Sequence, residues 1–167
     1  AYRRKDGSIV PVELIVDVYH DDKGQPLGIY AFVTDITERV RAEEALRESE
    51  RRFRELYDEA PVGYHEIDRN GRIVSINRTA CELLGYSAEQ LLGREVADLI
   101  DPSQREAARE SLARKLQGQA DLAPYQQTLV ARNGRTLEVE IQEREHHDDD
   151  GQVVGLRSVI QDISLRR

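Results

Sequence analysis

Asp35-Ile36-Thr37-Glu38-Arg39 is the stretch where a strand-like run passes directly into a helical one. Before it, Gly28-Ile29-Tyr30-Ala31-Phe32-Val33 is apolar and rich in strand formers. After it, Val40 to Leu56 holds no Gly or Pro and is dense in Ala, Glu, Arg and Leu, which reads as helix. The junction recurs as Asp162-Ile163-Ser164-Leu165-Arg166, after Leu156-Arg157-Ser158-Val159-Ile160. A strand feeding a helix, twice, organises the reading of the whole chain.

Working outward, residues 5–39 and 132–166 align without a gap at an offset of 127, with 12 of 35 positions identical. Val12-Glu13-Leu14 matches Val139-Glu140-Ile141, His20-Asp21-Asp22 matches His147-Asp148-Asp149, and Gly28 matches Gly155. This is a tandem repeat in which the tail of a first copy precedes a second copy, so the chain reads as a fragment of a larger protein. In each copy, Val10, Val12, Leu14, Val16 and Val18, or Leu137, Val139 and Ile141, alternate as on a half-buried strand. Asp6-Gly7 and Asn133-Gly134 are expected to form two-residue type I′ hairpins, and Asn70-Gly71 a hairpin turn.

Residues 37–60 read as a linker helix, long enough at ~1.5 Å per residue to separate two domains by ~35 Å. Ala42, Leu46, Ser49, Phe53, Leu56 and Ala60 are spaced alternately by four and three, a heptad seam. Left alone they would expose an apolar stripe, so a homodimer through this helix is expected. Pro61 ends the helix. Gly63 to Asp68 and Arg72 to Ile76 read as strands. Asn77 caps a helix ending at Gly85, Ser87 with Gln90 forms a capping box, and Val96 to Ile100 reads as a helical turn. Ser103 with Glu106 suggests another capping box opening a helix to Gln117, and Leu122 to Arg132 returns to strand.

The chain has 167 residues and a formal charge of −8, which argues against a nucleic-acid-binding surface. No apolar run approaches the ~20 residues of a membrane helix, so no membrane contact by this stretch is expected. A lone Cys81 fits a reducing, cytoplasmic compartment.

The order and residues resemble the PAS sensory domain family over about residues 53–164. The stretches that carry the resemblance are Phe53-Arg54, Ala60-Pro61-Val62-Gly63, Asp68-Arg69-Asn70-Gly71-Arg72-Ile73, Asn77 through Tyr86, Leu92-Gly93-Arg94, Asn133-Gly134 and Asp162-Ile163-Ser164. The resemblance implies an α+β fold, a five-stranded antiparallel sheet with short helices on one face and a small cavity between them. Residues 1–36 resemble the last strands of a preceding PAS domain, giving three segments: 1–36, the linker helix 37–60 and a PAS domain 61–164.

The family divides by what fills the cavity. Light-sensing members carry a Gly-Arg-Asn-Cys-type motif; here the stretch is Gly93-Arg94-Glu95-Val96, so no cysteinyl–flavin adduct forms there, and Cys81 lies on an earlier helix. Haem-binding members commonly use a histidine on the long helix, and residues 103–117 contain none. Neither haem nor photoactive flavin is expected. His65 shares a strand face with Ile67 and reads as a hydrogen-bonded core or surface histidine. His146, His147 and Asp148 to Asp150 read as a solvated hairpin tip, not a metal site, and the carboxylates read as spread over exposed helix faces. No catalytic constellation is legible.

Val74, Ile76, Leu84, Leu92, Val96, Leu99, Leu112, Leu116, Leu129, Val139, Ile141 and Leu156 are the candidate cavity walls. A filled core needs the same residue types, so a small apolar ligand and no ligand both stand. The chain is read as a sensory input and relay module, with Asp35, Thr37, Asp162 and Ser164 coupling strand to helix; the rival is a structural dimerisation spacer. The N-terminal hairpin is expected to pack its apolar face on another chain. A histidine kinase or cyclic-dinucleotide enzyme commonly follows such a module.

Overall fold

The structure is a computed structural model and describes residues 1–164. It divides into two compact units, Ala1–Phe53 and the residues from Arg54 onward.

In the first unit, β1 (Tyr2–Arg3) pairs with β2 (Ile9–Val10), and β3 (Val12–His20) pairs antiparallel with β4 (Pro26–Asp35). β4 passes through one residue into α1 (Thr37–Asp58), which begins here and runs on into the second unit. The Asp35 carboxylate terminates the strand and opens the helix: its Oδ1 accepts from the Thr37 amide at 2.9 Å and the Thr37 hydroxyl at 2.5 Å. Such a side chain satisfies amides that the first helical turn leaves unpaired.

The second unit contains β5 (Gly63–Asp68), β6 (Ile73–Ile76), α2 (Arg78–Leu84), α3 (Ala88–Leu91), a 3-10 turn (Val96–Leu99), α4 (Arg105–Leu116), β7 (Tyr125–Val130), β8 (Thr136–His147) and β9 (Val153–Asp162). The strands form one antiparallel sheet in the order β6-β5-β9-β8-β7. Ile67, Leu137, Val139 and Leu156 from the sheet meet Leu84, Leu91 and Leu99 from the helical segment in a single core. This is the α+β architecture expected from the sequence.

Three local expectations need correction. The Asp-Gly and Asn-Gly turns are not type I′, which needs two residues at positive φ; among the described residues only glycines have it. Instead five hairpins share one geometry. In each, a glycine (7, 24, 71, 134 or 151) donates to the carbonyl three residues back, and the residue giving that carbonyl donates to the one after the glycine. The glycine alone takes the left-handed conformation, as in a three-residue loop with a bulge. Ser103 does not cap α4: its hydroxyl and amide turn back to Asp101 Oδ1, and the helix begins at Arg105 behind an uncapped Gln104. Finally, strict alternation fails on β6. Glu66 pairs with Ser75 and Ile67 with Ile73, so Val74 is an extra, bulged residue. The bulge keeps Ile73 and Ile76 on the inner face and turns Val74 outward, 52% exposed.

The repeat holds in three dimensions. Val12 pairs with Asp35 as Val139 pairs with Asp162, and a bulge falls at Leu27 in one copy and at Val154 in the other. The amide of Ile36 donates to Pro11 O at 3.1 Å, and that of Ile163 to Glu138 O at 3.0 Å. These contacts too are related by the offset of 127.

Candidate functional site

Between the inner face of the sheet and the helical segment lies a cavity of about 60 Å³. Ile76, Leu84, Val96, Leu99, Leu112, Leu129 and Ile141 line it, as do Ile67, Ile73 and Ile160. Of the other candidate wall residues, Val139 and Leu156 are fully buried in the core and Leu116 packs against it. Val74 and Leu92 do not reach the cavity: the bulge turns Val74 out, and Leu92, the C-cap of α3, is 46% exposed.

The wall is not uniformly apolar: His65, Ser111, Lys115, Tyr125, Gln127 and Glu143 also line it, while Ser158 is buried opposite His65 off the wall. Strand pairing places His65 opposite Ser158, and Ser158 opposite Glu143, so three polar residues form one row across β5, β9 and β8. All three are buried. Glu143 is in phase with Leu137, Val139 and Ile141, positions that alternation sends inward. Its Oε2 accepts from Lys115 Nζ of α4 at 2.5 Å, and its Oε1 accepts from the Tyr125 hydroxyl at 3.1 Å. The Lys115 ammonium also sits 3.9 Å from the Tyr125 ring centroid, a cation–π contact. Both charged side chains are under a tenth exposed, so each is compensated by the other inside the fold. Burial, and then the Glu143 carboxylate, push the Tyr125 hydroxyl well above its ordinary pKa, so it acts as a donor.

His65 corrects an expectation. It points inward and is 6% exposed, yet its Nδ1 has no hydrogen-bond partner, and neither has the buried Ser158 hydroxyl. Burial alone pushes the imidazole down to about 4, so it is uncharged near neutral pH. The carboxylates, too, are not all on exposed faces, since Glu143 is buried. Lys115, Glu143, Tyr125 and Ser158 were missed in the sequence. The available signals were a Glu on the apolar phase of β8 and the repeat itself, which aligns Glu143 with Val16 and Ser158 with Ala31.

A second buried constellation ties the end of α1 to the sheet. Asn77 is fully buried and uses its whole amide. Its Oδ1 accepts from the Tyr64 and Ala80 amides at 2.8 and 3.0 Å. Its Nδ2 donates to Tyr57 O and Val62 O at 2.7 and 3.1 Å. The Tyr57 ring stacks on Tyr64, its hydroxyl lies 2.8 Å from Ser75 Oγ, and Asp58 Oδ1 accepts from the Arg78 amide. The sequence shows Asn77 only as a helix cap.

The junction residues take up matching contacts. Asp162 Oδ1 accepts from the Ser164 amide at 2.8 Å, as Asp35 Oδ1 does from Thr37. Hydrogen bonds from Thr37 and from Ser164 hold both carboxyls below the usual range. Asp35 also pairs with Arg4 at 2.9 Å. The helix expected from Leu165 lies outside the described residues. Ala42, Leu46, Ser49, Phe53 and Leu56 are all exposed on α1. His146 Nδ1 lies 2.6 Å from Glu66, and His147 Nε2 2.9 Å from Glu145. Cys81 is half-buried beside the core. Among the described residues no helix is long and apolar enough to cross a membrane.

The family described as "PAS fold" matches residues 51–163, and that described as "PAS domain" matches residues 1–38. Sporulation kinase E of Bacillus subtilis is 35% identical over 79 residues, 47% of this chain and 11% of that protein. The methyl sulfide methyltransferase-associated sensor of Methanosarcina acetivorans is 27% identical over 131 residues, 78% of this chain and 13% of that protein. A PAS domain structure from Colwellia psychrerythraea superposes with a TM-score of 0.60 at 21% identity, covering 74% of this chain and 99% of that one. The chain spans about a tenth of the length of the curated relatives it matches.

Proposed function

Because the chain belongs to the PAS family, we propose that it is a sensory input and relay module of a larger signal-transduction protein. In this reading, occupancy of the cavity is passed along β9 to the Asp162–Ser164 turn. One observation carries it: β9, whose Ile160 lines the cavity, ends in a turn that is the twin of the one opening α1. A shift of the strand therefore moves the start of whatever follows it. A ligand drives that shift only through its differential affinity for the two arrangements.

The names of the kinase and sensor relatives support placement before an output domain such as a histidine kinase or a cyclic-dinucleotide enzyme. The module works as a cytoplasmic homodimer through the exposed stripe of Leu46, Phe53 and Leu56. In the first unit, Leu14 and Val33 are about half exposed, whereas their repeat partners Ile141 and Ile160 are buried. Another chain covers that face.

Native mass spectrometry of freshly purified protein tests the reading. A small molecule released on denaturation supports sensing; bare protein under every growth condition supports a dimerisation spacer. In the intact protein, D35A/T37A and D162A/S164A should each abolish the response to stimulus while leaving the fold melting normally. Normal signalling by both variants removes the relay.

A further inference from the structure

We infer that the cavity selects a small uncharged molecule that both donates and accepts a hydrogen bond, such as a short-chain amide, whose polar head meets His65 and Glu143, the two members of the polar row that line it. This rests on the sensory reading and names the ligand class of the same site. The first support is the pair of buried groups without partners. His65 Nδ1 and Ser158 Oγ sit opposite each other on neighbouring strands and bond to nothing. Buried polar atoms are ordinarily satisfied, and His65 lines the cavity while Ser158 pairs opposite it off the wall, so the orphaned His65 Nδ1 marks where a partner goes.

The second support is charge. Lys115 and Glu143 already compensate each other at the cavity wall. An anion or a cation would leave the enclosed site with an uncompensated charge, which a low-dielectric interior disfavours. A wholly apolar guest would leave His65 unpaired. A neutral amide or alcohol avoids both penalties and lays its carbon end on Ile67, Ile73 and Ile160.

The third support is the internal repeat. Where the second copy places Glu143 opposite Ser158, the first places Val16 opposite Ala31 at the same register. An apolar pair therefore stands at this register in one copy, and the polar pair is a feature of the other. Size sets the scale. At 10–15 Å³ per water-sized sphere, the volume leaves room for a guest of about four to six non-hydrogen atoms.

The test is an NMR titration of the ¹⁵N-labelled chain with four probes of similar size: propionamide, n-propanol, acetate and xenon. The His65 Nδ1 resonance is the direct reporter. The expected result is a saturable shift with propionamide and n-propanol, at least tenfold tighter than with acetate or xenon. His65→Leu should weaken propionamide at least tenfold. The triple variant K115M/E143V/S158A, which installs the first copy's apolar pair, should favour xenon instead and serves if His65→Leu does not fold. Tightest binding by acetate or by xenon overturns the ligand class but leaves a sensing cavity. If none of the four enters, the cavity reading falls with it.

Discussion

Replacing Lys115 with Met should be among the most damaging single changes in the second unit, although Met matches its length. The Lys115 side chain is 8% exposed and bonds Glu143 at 2.5 Å; the Glu143 side chain is 6% exposed and, among the described residues, accepts one further bond, from Tyr125. Removing one member of a buried pair leaves the other charged and uncompensated, which costs about 3–5 kcal/mol. Glu143→Leu should cost about as much, for the mirror-image reason. The double variant K115M/E143L removes both charges, and an apolar pair in their place is often neutral or stabilising by about 1–4 kcal/mol. Against that stands the Tyr125 hydroxyl, which loses its acceptor at about 1–3 kcal/mol. The double variant should therefore lie within about 2 kcal/mol of wild type, and the coupling in the cycle should be at least about 4 kcal/mol. Urea denaturation followed by circular dichroism measures all four corners. In heat, each single variant should melt about 10–20 °C lower, at roughly 3–5 °C per kcal/mol for a unit of this size. Two results would refute the reasoning: single variants that cost under about 1 kcal/mol, or a double variant as poor as the sum of its parts.

His65 is depressed to about 4 in the fold against an ordinary 6.5, so the unfolded chain binds more protons between those values. The stability it contributes is present above pH 6.5 and is lost as pH falls toward 4, about 3 kcal/mol in all, and His65→Leu should flatten that part of the pH–stability curve. Asn77→Ala removes four hydrogen bonds made by a fully buried side chain and strands their backbone partners, so a loss of at least about 3 kcal/mol is expected, with early hydrogen exchange at Tyr64 and Ala80. Gly155→Ala would place a methyl 2.0 Å from the Ile67 carbonyl oxygen, a backbone atom that cannot step aside. At its repeat partner Gly28 the atoms nearest the added carbon belong to the Tyr19 phenol, a half-exposed side chain that can swing away. Melting curves should show a cost of about 2–3 kcal/mol or more for the first and a much smaller one for the second.

The order of strands and helices along the chain, the helix caps at Asn77 and Ser87 and the matching turns at Asp35 and Asp162 were legible, because each follows a local rule with few competitors: alternation, a capping side chain, a glycine stop. What failed was whatever depends on a partner distant in the chain. The bulge at Val74 is fixed by how β6 registers on β5, and nothing in Ile73-Val74-Ser75-Ile76 announces it. Lys115 and Glu143 are each ordinary surface residues until α4 packs on the sheet. Their burial is a property of the pair, and single-residue hydropathy reads it backwards. Asn77 was half legible: its capping oxygen follows from local sequence, while its amide nitrogen answers to Tyr57 and Val62 carbonyls brought near by the turn of the chain. Ser103 shows the converse, a local motif overruled by a nearer acceptor, Asp101.

The relay is tested most directly by hydrogen exchange at the Ile163 and Ser164 amides, which bond Glu138 O and Asp162 Oδ1 at the end of β9. The intact protein would be compared with and without saturating propionamide. The account predicts that filling the cavity changes exchange at these two amides by several-fold, and that His65→Leu abolishes the change. A cavity demonstrably filled, with both amides exchanging as before, would contradict it.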